Sequence, residues 1–456
     1  MLQSLVLLIG DRVAFKQAEA GIAALLLALS VRAAPSREEA MLAALVQEPR
    51  PEEWQGLKVY DRTFTRAEFE TALANVFDPW RGLRPYLRVD DKVVTVFPDP
   101  GCHGAPLVAV PFAPTPQARQ VRPGRFRTPE TWTPMPAGLT AKPLAGLRVA
   151  IEPADIGGAW AKMEDRSVAF QGYGRVNEGD LNLVVARLLR DKLSELGAEV
   201  FLVRDQAEPI LPIAQDQLLT TAETLLSRDS GLLPESFRHR PFELNQEGAA
   251  RLRFAAGIFL TKTLETCARA ELVRRSFQPD ITLVLQHDAT PDSAEEKLTP
   301  INRNIFFVGG AYLPYELRDA RQRLRLLTKL CERVTPVETT VAVAIARRFR
   351  EATGFPPVLY GNSATTREVV ANNDYVVARN LAFNREHDGP VVVTEPYFMN
   401  QPETLARLLA GDYVGRRRIA GRDQVSIFRE YADCVADGLI DAYARDPRRS
   451  SRRDKQ

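Results

Sequence analysis

Six side chains stand where strand-like runs end or a helix begins, and their types could hold a metal or move a proton. Glu152 and Asp155 follow the run "RVAIE", Glu178 opens "EGDLNL", His287 and Asp288 close "DITLVLQHD", and Glu395 closes "GPVVVTEP". Imidazole nitrogen and carboxylate oxygen are donors that zinc accepts at about 2.0–2.2 Å, and a carboxyl group beside such a site can serve as a general acid or base. Each has an ordinary reading alone. Glu178 could be a first-turn acid, His287 a satisfied strand-end histidine, and Glu395, before Pro396, a loop acid. Their coincidence on one edge points to a site, because ligands of open parallel sheets bind outside the carboxyl ends of the strands.

The elements that would position these residues begin at Leu147. "RVAIE" reads as a strand. "DLNLVVARLLRDKLSELG" repeats apolar residues at helical spacing and ends at Gly197, which suits the position after a helix. "AEVFLVRD" is the next strand, so the three form a βαβ unit with a parallel strand pair. "DITLVLQHD" and "GPVVVTEP" add buried strands, and "NIFFVGG" reads as an edge strand. "AELVRRSF" and "VTPVETTVAVAIARRFREATG" read as helices. The expected fold class is α/β, a mostly parallel sheet flanked by helices, preceded by a small α+β domain. Residues 206–278 exceed a simple crossover and read as a helical insertion.

The whole chain has 456 residues, 45% hydrophobic and 26% charged, with a net charge of +2. That supports several domains with ample core and implies no nucleic-acid partner. Residues 1–34 read as an export segment: the apolar run 21–36 ends in small residues near Ala33 and Ala34 and is too short for a stable transmembrane span. A buried helix is the other reading of that run. The expected location is exported, periplasmic or cell-envelope. Residues 35–112 form the small α+β unit, with an amphipathic helix in "TRAEFETALANVF" and strands in "YLRV", "KVVTVF" and "PLVAVPF"; its "GCHG" at 101–104 fits a turn. Residues 113–145 are rich in Pro, Thr and Arg and read as a linker. The catalytic-type domain spans 146–444, and 445–456 is a basic, disordered tail. Cys102, Cys267, Cys331 and Cys434 lack metal or redox spacing, so reduced thiols or one unassigned disulfide are expected.

From Leu147 to about Ala444 the chain resembles the zinc-dependent N-acetylmuramoyl-L-alanine amidases, peptidoglycan hydrolases with a phosphorylase/hydrolase-like α/β fold. That family opens with a strand and Asp-Pro-Gly-His-x-Gly, where this chain has "EPADIGG". Its Glu-x-Asp-Leu-Asn-Leu matches "EGDLNL" at 178–183. Its Gly-Ala-x-Val helix-to-strand turn matches "LGAEVFLVRD", its Ser-Ile-His-Ala-Asn matches "LVLQHDAT", and its Val-Glu-x-Gly-Phe-x-x-Asn-Pro-Glu matches "VTEPYFMNQPE".

The resemblance implies Glu178 and His287 as zinc ligands, Glu395 as general acid/base, and hydrolysis of the amide between muramic acid and L-alanine. Asp155 stands where the family has its first zinc-binding histidine, and Ala154 replaces the preceding glycine. An Asp/Glu/His set carries two negative charges and shifts preference from Zn²⁺ toward harder ions such as Mn²⁺. The implied partners are peptidoglycan and an activator or another wall hydrolase. Two other classes stand beside this one: a catalytically weak or inactive amidase-like protein that binds wall or regulates another hydrolase, and a metallopeptidase of similar architecture acting on another amide. The small unit would serve as a wall-binding or regulatory module.

Overall fold

The computed structural model describes residues 36–122, 124–133, 142–170, 172–228, 246–289, 297–363 and 365–444. The expected export segment at 1–34 and the basic tail at 445–456 lie outside them. The chain divides into two compact units, residues 1–44 and 45–456. The described part of the first is the beginning of helix α1 (Arg37–Leu45). Among the described residues no helix is long and apolar enough to cross a membrane.

The second unit starts with the small α+β motif. Helix α2 (Arg66–Ala72) is opened by a capping box, in which Thr65 and Glu68 each satisfy the other's backbone N–H. Strands β1 (Leu87–Val89), β2 (Val93–Val96) and β3 (Val108–Pro111) form an antiparallel sheet. Its inward side chains, including Val94, Val96, Val108 and Val110, share one apolar core with Leu326, Leu327, Leu330 and Val334 of the larger fold. The small α+β domain is thus present, and it packs on the larger fold through that core. Part of the expected linker is described. Its described stretch is anchored: Trp132 is buried, and Arg127 donates to both carboxylate oxygens of buried Asp280, at 3.0 Å from Nε to Oδ1 and 2.5 Å from Nη2 to Oδ2. Two aromatic or charged anchors without periodicity give little signal in a Pro-rich segment.

The main sheet has seven strands, for which we use β4 (Arg148–Pro153), β7 (Glu199–Leu202), β8 (Ile281–Leu285), β9 (Asn304–Gly309), β10 (Thr366–Glu368), β11 (Val376–Arg379) and β12 (Val391–Pro396); β5 (Ser167–Phe170) and β6 (Gly174–Asn177) form a separate hairpin. The order is β10-β11-β9-β12-β8-β4-β7. Strands β7, β4, β8 and β12 run parallel, as do β9 and β11, whereas β9 is antiparallel to β12 and β10 to β11. The fold is thus the expected α/β class with a mostly parallel sheet. The "NIFFVGG" strand, expected at an edge, lies inside, between β12 and β11. All six residues of β9 are buried, the burial that a continuous apolar run requires when both faces are covered.

Helix α3 (Glu178–Glu195) follows the hairpin and ends before Gly197, which takes φ +93°. Residues 206–278 contain α4 (Gln215–Arg228), α5 (Gln246–Phe259) and α6 (Glu265–Ser276), the last two joined by a π turn over Leu260–Leu264. Helices α7 (Ala320–Glu332), α8 (Val334–Thr353) and α9 (Ile427–Leu439) complete the layers. Residues of α3, α8 and α9, including Leu189, Ile345 and Val435, meet β4, β8 and β9 in the main core. The four cysteines are free; Cys267, Cys331 and Cys434 are buried and Cys102 is partly exposed. Cys102 and Gly101 both take positive φ, so "GCHG" is a turn.

Candidate active site at the carboxyl edge of the sheet

The turn after β4 is held from several sides. Asp155 takes φ +54°, and Gly157 and Gly158 take +82° and +54°; Asp tolerates the left-handed region better than most residues with a Cβ. Glu164 accepts from the backbone N–H groups of Ile156 at 2.6 Å and Gly157 at 3.0 Å. Asp180 accepts from Gly158 N–H at 2.8 Å, and Asn182 donates to Ala154 O at 2.9 Å. The Arg204 guanidinium donates to the carbonyls of Pro153 (3.2 Å) and Asp155. Both glycines at the contact with α3 are required sterically. A Cβ on Gly157 would stand 2.5 Å from Asp180 Oδ1, and one on Gly179 2.4 Å from Gly157 N. The turn and the first turn of α3 therefore press together, and Asp155 and Glu178 share a corner.

Two cations enter that corner. Arg166 Nε lies 3.5 Å from Glu178 Oε2 and 3.9 Å from Asp155 Oδ1. The Lys262 ammonium, from the π turn, donates to Asp155 Oδ1. Asp155 Oδ2 is buried and has no hydrogen-bond partner among the described residues. Burial works against the ionised form of Asp155, but Lys262 and then Arg166 hold its carboxyl down at about 2. Glu178 goes the other way: burial, and next the neighbouring Asp155 charge, push it well above the ordinary carboxylate range.

His287 sits just past β8. Asn182 uses its amide N–H on Ala154 O, so its oxygen is the atom facing His287 Nδ1 at 2.8 Å. This assigns the proton to Nδ1 and leaves a lone pair on Nε2, which is buried and without a hydrogen-bond partner among the described residues. The ring packs edge-on against Tyr431, centroids 5.5 Å apart, and burial lowers its pKa to about 3. The backbone N–H of His287 donates to Glu178 Oε1 at 3.3 Å, which ties β8 to the start of α3. Glu395, at the end of β12, is raised to about 8 by burial and next by Asp288, with Arg379 and Arg166 opposing. Asp288 is itself raised to about 6, first by burial.

The sheet edge thus brings Asp155, Glu178, His287, Asp288 and Glu395 into one electrostatic neighbourhood. Glu152 leaves it: buried at the end of β4, it pairs with His387 and with Arg269, whose Nη1 is 3.5 Å away. Sequence reasoning did not pick out Asn182, Glu164, Arg166 and Lys262. Asn182 lies inside the quoted "EGDLNL", and Lys262 is the only charge in "GIFLTKTL", which is a signal of a kind.

The donor chemistry fits a divalent cation at two positions. His287 Nε2 is a bare buried lone pair with its other nitrogen anchored, the arrangement metal-binding histidines show, and Glu178 accepts from the backbone N–H of the same residue. Asp155 offers a metal only Oδ2, because Lys262 is bonded to Oδ1. No group of three His, Cys, Asp or Glu side chains placed to hold a metal occurs among the described residues.

No protein-family model and no curated protein matches the chain. Solved structures do. Cwp6 from Clostridium difficile overlaps with a TM-score of 0.33 at 15% identity, covering 65% of this chain and 29% of that one. The N-acetylmuramoyl-L-alanine amidase AmiC2 of Nostoc punctiforme gives 0.33 at 13% identity, covering 66% and 99%. The CwlD amidase from Clostridioides difficile, in complex with the GerS lipoprotein, gives 0.32 at 12% identity, covering 65% and 98%. These overlaps are loose, and the functional reading rests on the site's own residues.

Proposed function

We propose that the chain is a cell-wall amidase that hydrolyses the amide between N-acetylmuramic acid and L-alanine in peptidoglycan, with a divalent metal, zinc or manganese, held by Glu178 and His287. The observation that carries this reading is the placement of Glu178, the bare Nε2 of His287 and the buried Glu395 at the carboxyl edge of one sheet. When bound, the metal supplies Lewis acidity and a water of lowered pKa. The protein's own part is then positional and protonic. Asn182 keeps the proton on His287 Nδ1 and fixes the ring. As hydroxide from water bonds to the lactyl carbonyl carbon, Glu395, whose carboxyl is held protonated by burial and next by Asp288, gives its proton to the amide nitrogen and the C–N bond breaks, which leaves a carboxylate on the muramic acid and a neutral amine on L-alanine.

A second reading is a catalytically silent wall-binding protein, and the Lys262 ammonium on Asp155 favours it. Digestion of purified sacculi separates the two. The amidase reading expects stem peptides freed from the glycan with a new L-alanine amino terminus. Its loss in Glu395→Gln, with the fold intact, would assign Glu395. Sacculi left whole by the metal-supplemented parent would favour the silent reading. Release of peptides cut elsewhere in the stem would mark a peptidase. Export and the envelope location belong to the same proposal, as does an activating partner.

A further inference from the structure

We propose that Lys262 is a resident cation that takes the place of a metal's hold on Asp155 Oδ1, so that a metal at Glu178 and His287 must enter against the lysine's charge. This rests on the reading of those two residues as metal donors. The geometry supplies the reason. Asp155 is 1% exposed at its side chain, and one oxygen is bonded to the Lys262 ammonium while the other has no partner among the described residues. A buried carboxylate needs a counter-charge, and Lys262 provides it from within the chain.

The lysine gets there by a local irregularity. The π turn Leu260–Leu264 interrupts a helical run from α5 to α6. Leu260, Thr261 and Leu264 stay buried, whereas Lys262 is 31% exposed and reaches the corner. π turns inside helices are frequent at functional sites. A divalent ion beside Lys262 and Arg166 would be repelled by both cations. Metal and lysine therefore compete, and the lysine, partly exposed on a flexible stem, is the partner that can be removed.

The test is zinc binding by the full chain, measured by calorimetry and by the zinc-induced change in melting temperature, with no reference to hydrolysis. Lys262→Met should bind zinc at least about tenfold more tightly than the parent, since the competing charge is gone and Asp155 Oδ1 is freed. Zinc should raise its melting temperature while barely moving the parent's. Lys262→Arg keeps the charge and should behave as the parent. Lys262→Gln is the second neutral variant, and should follow Lys262→Met if the latter folds poorly. Equal affinity for parent, Arg and neutral variants would overturn the proposal. Zinc bound by none of them would overturn it by removing Glu178 and His287 as donors. Zinc affinities in the expected order with no variant digesting sacculi would uphold it and reject the amidase reading alone.

Discussion

His287 can act as a donor because Asn182 decides which ring nitrogen carries the proton, and Asn182 is itself fixed by Ala154 O. Asn182→Leu keeps the volume and removes both bonds. The ring then loses its anchor, and zinc affinity should fall about 10–100-fold; a titration of the parent and variant checks this. Asp155 offers a pH test. Its folded pKa of about 2 lies below the ordinary value near 3.9, so its ion pair stabilises the protein fully above about pH 4. That contribution is lost as the pH falls toward 2. Asp155→Asn should therefore be less stable than the parent at pH 6, and the gap should close across that acid window in urea-unfolding curves. Equal stability at pH 6 would show that the pair contributes nothing.

At the scale of elements, the site depends on α3 pressing its first turn against the β4 turn. Gly179→Ala would place a methyl 2.4 Å from Gly157 N, and the neighbouring atom is backbone, so the turn must shift. We expect about 1–3 kcal/mol of destabilisation and weaker zinc binding together; denaturant unfolding and a zinc titration read the two. The strands and α3 were legible in the sequence because buried parallel strands and a long amphipathic helix have strong periodic signatures. The four residues Asp155, Glu178, His287 and Glu395 were legible as strand-end and helix-start chemistry. Lys262 was not, because a π turn leaves no periodicity of its own and the residue sits in an insertion far along the chain. Glu152 was misplaced for a related reason: a strand end does not say which face a side chain takes, and its partners, Arg269 and His387, come from distant segments.

At the scale of the whole molecule, residues 45–456 behave as one unit, and the segment expected as a linker is pinned to it through Arg127 and Asp280. Arg127→Ala leaves buried Asp280 without its guanidinium partner and should cost about 1–3 kcal/mol, seen as an earlier urea midpoint for the entire unit. Independent melting of 45–112 would contradict the single-unit description. The central claim concerns what this unit does with its sheet-edge site. The direct measurement is the digestion of purified sacculi by the metal-supplemented full chain and by Glu395→Gln, with the released amino termini identified. The account predicts new L-alanine amino termini for the parent and a rate lower by about 10²–10⁴ in the variant. Equal release by both proteins, or no release by either, would contradict it.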